Sequence, residues 1–539
     1  MSRLTPLVVL LALAGCKGSG GVDAGSPGPD ARWLQGALAP ETGTPRDGGT
    51  LTVRLPLEPT GLTRLHDRFN EGTMVRLTVG PLYETLARAH DGQLTPLLAE
   101  TWSETADALT ITLRAGVKFH DGTELTSADV KATLDVVMDP AKPTAGFRAA
   151  LDSLRSVETP DARTVVVRWS RPWFLARHTL LAALPVMPAH ALQGDFDTLP
   201  IHRAPIGTGP FRFEKWEPGL SLSLVRADGR AHLDRVVFRF LKDEGAAMQA
   251  FEKGELGLMT RLTPSAWRSL ETQPWAWQRS QRIFFEENAY AWLGFNQRKA
   301  LFVDPLVRRA LAMLYPAELV EKTVDLGLEP RTTCPYFPGS RSCDPSVQPL
   351  AYDPAEARRL LAAAGWGDSD HDGVLDREGV RFSFAFLAAS QSVKMARLLP
   401  LFLDTLRHAG IEARIETVDV SAYLSRVRAH DFDAMALSWA SADEVQDNFP
   451  NFHSSQAAQG NNYVGYSNPE VDALLERVRT ELDAERRAAL EREVHRRVYA
   501  DQAYLFLGRR PALDAALRTV HGLKPSLGWY DLTAVWISN

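Results

Sequence analysis

Three groups of residues have the types and spacing to do chemistry. Asp368, Asp370, Asp372 and Asp376, with Gly373 in sixth place, fill positions one, three, five and nine of a calcium-loop pattern. Position twelve, which should supply a bidentate Glu, is Gly379, and a strand pattern follows from Arg381. The expectation is a solvated acidic turn, with a calcium site on those four carboxylates as the alternative. Trp439 ends an alternating run that begins at Phe432 and precedes a polar stretch holding Asp443, Glu444 and Asp447. An aromatic at a strand's end beside a polar loop is where α/β proteins place ligands; a tryptophan that only caps a sheet is the competing reading. Glu286 and Glu287 are the material of an acid–base pair, but neighbours on a strand point to opposite faces.

The usual catalytic signatures are missing. The chain has no Gly-x-Ser-x-Gly elbow, no His-Glu-x-x-His zinc helix, no phosphate loop and no dinucleotide fingerprint, and its 13 histidines include no pair at helical ligand spacing. With 60 basic against 66 acidic residues, a net charge of −6 and no basic run, nothing marks a nucleic-acid surface. A chain of 539 residues with 45% apolar side chains has material for several cores, which argues against a largely disordered polymer.

The three cysteines divide by position. Arg3, the apolar stretch Leu4 to Ala14 and Leu13-Ala14-Gly15-Cys16 have the layout of a signal peptide, too short to span a bilayer. The tetrapeptide resembles a lipobox, so residues 1–16 are expected to be a lipoprotein signal ending at a lipidated Cys16; an ordinary signal peptide is the alternative. Export leads to an oxidising compartment. Cys334 and Cys343, nine residues apart around two prolines and a glycine, are then expected to form a disulfide, with two free thiols as the alternative.

Elements that position these residues are legible from periodicity. Residues 17–49, rich in Gly, Pro, Ser, Ala and Asp, are expected to be a flexible tether. Leu51, Val53 and Leu55 alternate with polar residues as in a strand, and further strands are expected at Leu109–Arg114, Val165–Trp169, Ser221–Arg226, Val236–Phe240, Arg381–Leu387 and Ile411–Val418. Thr126 and Asp129 form a capping box before Val130, Leu134 and Val137; Asp353 caps a helix opening on Pro354; Ser392 to His408 fits a helix with Pro400 inside it. Strand, helix and strand over 381–418 predict a parallel βαβ unit. Apolar stripes on 471–482 and 490–498 predict two helices broken near Asp483. The class is α/β with mixed sheets.

Five motifs carry a family resemblance. They are Leu97-Leu-Ala-Glu-Thr-Trp102 leading to Leu113-Arg-Ala-Gly-Val-Lys-Phe-His-Asp-Gly-Thr123 and Ser127-Ala-Asp-Val130; Pro205-Ile-Gly-Thr-Gly-Pro-Phe211; Leu293-Gly-Phe-Asn296 with Val307-Arg-Arg-Ala-Leu311; Tyr352-Asp-Pro354 with Leu360-Leu-Ala-Ala-Ala-Gly-Trp366; and Tyr466-Ser-Asn-Pro-Glu-Val-Asp472. Together they resemble the family 5 extracellular solute-binding proteins, the oligopeptide, dipeptide and nickel receptors of ABC importers. The resemblance implies a type II periplasmic-binding-protein fold with two α/β lobes, a hinge and an extra domain inserted in the first lobe. Lobe I would combine 47–80, 202–297 and 505–539, the insertion would be 81–201, and lobe II 298–504.

The resemblance also implies an extended peptide between closing lobes, paired to the strand Leu55–Glu58 and so to Leu57 and Glu58. Trp439 corresponds to the family's tryptophan. The spacing of the acid that holds the peptide's amino group falls on Ala442, so Asp443 is the favoured partner, with Asp447, Asn448 and Phe449 downstream; Asn296 is a further ligand candidate. The expected protein is a non-catalytic, monomeric, lipid-anchored peptide receptor, periplasmic or on the cell surface, that serves membrane permease subunits and uses neither cofactor nor nucleic acid. A receptor for a metal chelate, haem, a sugar or a peptidoglycan fragment is the alternative, and an exported hydrolase the contrasting class.

Overall fold

The computed structural model describes residues 30–38, 40–41, 43–67, 77–90, 93–105, 107–337, 339–441, 445–458, 460–526 and 529–538. Its principal strands, in chain order, are β1 (Thr50–Leu55), β2 (Ala99–Glu104), β3 (Ala108–Leu113), β4 (Leu154–Asp161), β5 (Thr164–Trp169), β6 (Phe211–Glu217), β7 (Ser221–Arg226), β8 (Arg235–Phe240), β9 (Leu258–Met259), β10 (Ser280–Phe295), β11 (Ser383–Ala389), β12 (Glu412–Val418), β13 (Ala434–Ala440) and β14 (Leu505–Leu517). Ten of them form one sheet in the order β12-β11-β13-β10-β14-β9-β1-β8-β7-β6, while β2-β3-β5-β4 form a separate antiparallel sheet.

Two strands are long enough to run through both ends of the large sheet. β10 has 16 residues and β14 has 13, and they pair antiparallel from Ser280↔Leu517 to Leu293↔Leu505. The pairing slips between Glu286 and Tyr290, which divides each strand into two halves. The first half of β10 and the second half of β14 belong with β9, β1 and β8 (lobe I). The other halves belong with β13, β11 and β12 (lobe II). A register slip loosens a ladder and increases its twist, which suits a strand pair that must bend.

Local chemistry explains the helices that carry the site. α1 (Ser127–Met138) starts from a capping box in which the Thr126 N–H donates to Asp129 at 2.8 Å. α2 (Phe174–His178) lies in the segment between the small sheet and lobe I. In lobe II, α3 (Pro305–Met313), α4 (Pro354–Ala363) and α5 (Val393–His408) pack against one face of the sheet, around a core that includes Leu293, Phe384, Phe386 and Phe402. α4 has Asp353 as N-cap and Pro354 at its first position. β11, α5 and β12 form a parallel βαβ unit, followed by α6 (Val420–Arg428). α7 (Pro469–Thr480) and α8 (Ala484–Ala500) are separated at Asp483, whose side chain caps α8. A second core runs from β1 through the segment around Leu180 to α7 and α8.

The expected tether needs correction from residue 30 onwards. Ala31–Gln35 is a short helix, Trp33 is only 4% exposed, and its indole donates to the Ser280 carbonyl at 3.0 Å. The Arg282 guanidinium lies over the Trp33 ring at 5.0 Å and over Trp267 at 3.1 Å. One large aromatic supplies the buried area that the composition of 17–49 as a whole does not. Residues 1–29, and with them Cys16, lie outside the described residues.

Two glycines of the Pro205–Phe211 motif have a packing reason. A Cβ on Gly207 would lie 2.0 Å from the Leu82 carbonyl oxygen, and one on Gly209 would lie 2.2 Å from that of Pro81. The motif is therefore a close backbone contact between lobe I and the segment that follows β1. Gly207→Ala is expected to destabilise the protein by about 2 kcal/mol, because the obstacle is main chain and cannot rotate away; chemical denaturation measures it.

Candidate ligand cleft

The strand directions fix where a ligand site can lie. β1, β8 and β9 are mutually parallel and antiparallel to β14, so their carboxyl ends point from lobe I towards lobe II. β11, β12 and β13 are mutually parallel, and β13 runs antiparallel to β10, so their carboxyl ends point back towards lobe I. The two sets of carboxyl ends face each other across the strand pair β10–β14. Ligand crevices in α/β sheets form outside carboxyl ends.

β13 brings a free edge to this cleft. On one side it pairs with β10 from Ala434↔Phe295 to Ala440↔Ala289, but β11 pairs only with Ala434 and Met435 on the other. The Ser441 N–H donates to the Asn288 carbonyl of β10 at 2.8 Å, whereas the Ala436 carbonyl accepts from the Tyr423 hydroxyl on the far side. Backbone groups of alternate residues point to opposite edges. Ser438 and Ala440 thus turn their N–H and C=O groups to an edge that no strand of the described residues covers, and both residues are exposed.

Trp439 lies between them, half-buried and held in a ladder of rings. It stacks on Trp292 at 6.0 Å and on Tyr463 at 5.9 Å, and Trp292 in turn stacks on Tyr504 at 3.7 Å. The ladder fixes the strand end that carries the free edge.

The residues proposed from the sequence separate into distinct settings. Leu57 is 59% exposed just beyond the carboxyl end of β1. Glu58 is engaged within lobe I: it accepts from the Trp216 indole at 2.8 Å and the Gly219 N–H at 3.0 Å. Asn296 is a clamp, donating to the His430 and Phe432 carbonyls at 3.1 and 3.0 Å. Asp447 accepts from the Phe449 N–H and pairs with Arg479 at 2.6 Å, with only 5% of its side chain exposed. Arg479 is held between the Phe449 ring, 3.6 Å away, and Trp173, 4.9 Å away in the segment that precedes lobe I's β6. Asn448 is buried and donates to the Pro335 carbonyl. These contacts engage the side chains of Glu58, Asn296 and Asp447 within the protein. Asp443 and Glu444 lie outside the described residues.

Cys334 and Cys343 are joined, with an S–S distance of 2.05 Å. The loop they close is bound from behind. Arg509 donates to the Tyr336 carbonyl at 2.9 Å, the Asp344 N–H donates to His495 Nδ1 at 3.0 Å, and Ser342 donates to Glu491 at 2.6 Å. Burial lowers the His495 pKa to about 4, so the ring is neutral and its Nδ1 accepts. Removing the crosslink by Cys334→Ala with Cys343→Ala is expected to cost about 2.5 kcal/mol, the loop-closure value for ten residues. Denaturation in the presence and absence of reductant measures it.

The acidic turn has a structural occupation of its own. Asp376 accepts from the Ser369 N–H and hydroxyl, and Asp372 pairs with Arg381, while Asp368, Asp370 and Asp372 approach within 4.8 Å of one another. Exposed carboxylates bonded in this way form a self-capped turn.

Sequence reasoning missed the cations of the cleft. Arg261, just past β9, has φ +56 and binds Glu287 at 2.6 Å, and its N–H donates to Asp514. Burial raises the Asp514 carboxyl to about 6. Lys394, at the start of α5, bridges Asp325 at 2.9 Å and Glu329. Arg509 and Arg510 sit side by side in β14, a run whose only other charged residue is Asp514, and that interruption was the available signal.

Two facing α/β lobes, crossed by two strands and opening on carboxyl ends, define a solute-binding protein of the type II periplasmic kind. The chain belongs to the bacterial extracellular solute-binding proteins, family 5, whose model matches residues 93–461. It is 28% identical over 516 residues to the oligopeptide-binding protein AppA of Bacillus subtilis, covering 92% of this chain and 93% of the relative. Against di/tripeptide-binding protein 2 of Pseudomonas aeruginosa, identity is 26% over 513 residues, 88% of this chain and 92% of the relative. The solved structure of B. subtilis AppA with a nonapeptide superposes with a TM-score of 0.76 at 26% identity, over 92% of this chain and 100% of that one. NikA of Brucella suis with Fe(III)-EDTA gives 0.80 at 21% identity over 91% of this chain and 100% of that one, a likeness of fold alone. Among the described residues no helix is long and apolar enough to cross a membrane.

Proposed function

We propose that the protein captures short peptides between its lobes and delivers them to the membrane permease of an ABC importer, held at the membrane by lipid on Cys16. The observation that carries the peptide reading is the free edge at Ser438 and Ala440. An extended peptide can add to it as a strand, taking backbone hydrogen bonds that are independent of side-chain identity. Leu57, exposed beyond β1, offers backbone from the opposite wall, and Asp443 is the partner for the peptide's ammonium group. Both peptide-binding relatives match almost end to end, which supports the same ligand class here.

Closure follows from the hinge. Among the described residues β10 and β14 alone join the halves of the large sheet, and a ligand drives closure only through contacts that the open form lacks. The experiment is mass spectrometry of ligand released from natively purified protein. Short peptides are expected; a metal chelate, haem, a sugar or a peptidoglycan fragment in their place overturns the reading. The mass of the mature amino terminus tests the lipid on Cys16 in the same preparation.

A further inference from the structure

Two of the five sequence motifs meet away from the ligand cleft. Leu113 to Thr123 and Pro205 to Phe211 are joined by His120, whose Nδ1 accepts from the Gly207 N–H at 3.2 Å. With Nδ1 an acceptor, Nε2 carries the proton and donates to the Gly209 carbonyl at 2.9 Å. Beside this junction, between the segment that follows β3 and lobe I, is a cavity of about 670 Å³. Its place in the sheet separates it from the cleft. β8 runs from Arg235 towards lobe II, so Arg235 marks the end of lobe I remote from the ligand. Val225 of β7 pairs with Arg235, and Arg212 of β6 pairs with Val225, which puts Arg212 at that remote end. Arg230 is in the turn between β7 and β8 at the same end. Among the described residues none from lobe II lines the cavity.

Cations dominate its lining. Arg114, Lys118, Arg212 and Arg230 stand against Glu84 and Asp228, which leaves a net charge of +2. One cation takes both acids: Arg230 binds Glu84 at 2.6 Å and Asp228 at 2.7 Å. Among the described residues Arg114, Lys118 and Arg212 have no carboxylate partner. Arg114 spends only its Nε, on the Leu97 carbonyl at 2.6 Å. Burial, against the Gly209 hydrogen bond, lowers the His120 pKa, and the charges of Arg212 and Arg230 lower it further. The ring is therefore neutral, and the free positive charge belongs to the three unpaired side chains.

A concave site lined by one sign of charge concentrates the opposite sign. A carboxylate would bring two oxygens in one plane and a single charge. A phosphate monoester brings three oxygens and a charge of about −1.5 to −2 at neutral pH. The second matches both the three separate cations and the net charge of the lining. We propose that this cavity binds a phosphate group, carried by a soluble phosphate ester or by a lipid headgroup. The site does not depend on what the cleft holds, and it stays open to its ligand whether the lobes are apart or together.

The test is calorimetry of the full chain at physiological ionic strength, with two probes: glycerol phosphate, and dihexanoyl phosphatidic acid below its micelle concentration. Wild type is expected to bind at least one of them. Arg212→Gln combined with Lys118→Gln should weaken that binding about tenfold or more, the effect of losing charge-assisted contacts. Lys253→Gln, which removes one charge from an exposed position of lobe I outside the cavity, should bind like wild type. Phosphatidic acid bound at least tenfold more tightly than glycerol phosphate identifies a lipid headgroup as the source, and a smaller difference or the reverse order identifies a soluble ester. No binding of either probe by wild type, unchanged binding in the double variant, or an equal loss in K253Q overturns the proposal. Arg212 and Lys118 form no ion pair that their removal would break, so the double variant is expected to melt like wild type. Should it melt lower, Lys118→Glu, on an exposed turn, takes its place: it must lose the binding, and retained binding overturns the proposal.

Discussion

Replacing Asp447 with alanine is expected to destabilise the protein by about 4 kcal/mol, the cost of stranding one member of a buried ion pair. Asp447 stands in the segment that follows β13, so a binding role is the natural first reading of the sequence. The structure assigns its carboxylate elsewhere. It pairs with Arg479 at 2.6 Å with 5% and 17% of the two side chains exposed, and Arg479 is flanked by Phe449 and Trp173. Alanine at 447 leaves that guanidinium between two rings without its counter-charge. Denaturant titration should show a lower midpoint at unchanged slope, which isolates stability from a change in the folded or unfolded ensemble. Arg479→Met on top of Asp447→Ala should recover most of the loss, since replacing a buried pair by apolar groups is often neutral. Asp443→Ala is expected to do the reverse, weakening peptide binding about tenfold with no change in melting temperature. A D447A protein of normal stability that no longer binds peptide would return Asp447 to the ligand site.

Glutamine at 491 should stabilise the protein by about 3 kcal/mol at pH 8 and by almost nothing at pH 4. Glu491 lies on α8 behind the disulfide loop, where burial first, against the Ser342 hydrogen bond and Arg487, raises its pKa from 4.5 to about 7. The folded protein therefore holds this proton over a range where the unfolded chain has released it. Stability contributed by the carboxyl is complete below 4.5, falls as the pH rises through 7 and stays lost above it. Glutamine keeps an acceptor for Ser342 and carries no charge to desolvate, so it removes that slope. His495, one turn further along α8, contributes the opposite sign: its pKa is lowered from 6.5 to about 4, and its stability is lost as the pH falls between those values. The gain in unfolding free energy of Glu491→Gln over wild type should grow from pH 4 to 8 in unfolding curves of the two proteins. A variant that follows the wild-type profile would mean that Glu491 is charged in the folded protein.

Asp447 and Glu491 belong to one region of the protein. Phe174 of α2 sits under Arg487 at 4.5 Å, just as Trp173 sits against Arg479. Lobe II therefore meets the segment before lobe I through cation–ring contacts on α7 and α8, close to the loop that leads away from the free strand edge.

Local signals carried the elements that the sequence predicts. The capping box at Thr126, the Asp353–Pro354 start, the break at Asp483 and the parallel unit over 383–418 depend on residues within a few positions of each other, and the structure has each within two residues of its expected place. β10 and β14 escaped the same reading. Their halves lie in different lobes and are buried against different neighbours, so neither keeps one alternating pattern from end to end.

By itself, the sequence determined the α/β class, the order of its main elements and a family resemblance resting on five motifs in register. Which polar groups are available to a ligand was decided only by the tertiary structure. Glu58 meets Trp216 across 158 residues, Asp447 meets Arg479 across 32, and Asn296 meets Phe432 across 136. The same long-range packing leaves the outer edge of Ser438 and Ala440 without a strand partner among the described residues. A side chain's type sets what it can bind, but whether it is already bound depends on charges and carbonyls that the fold brings from elsewhere in the chain, and no local pattern records that.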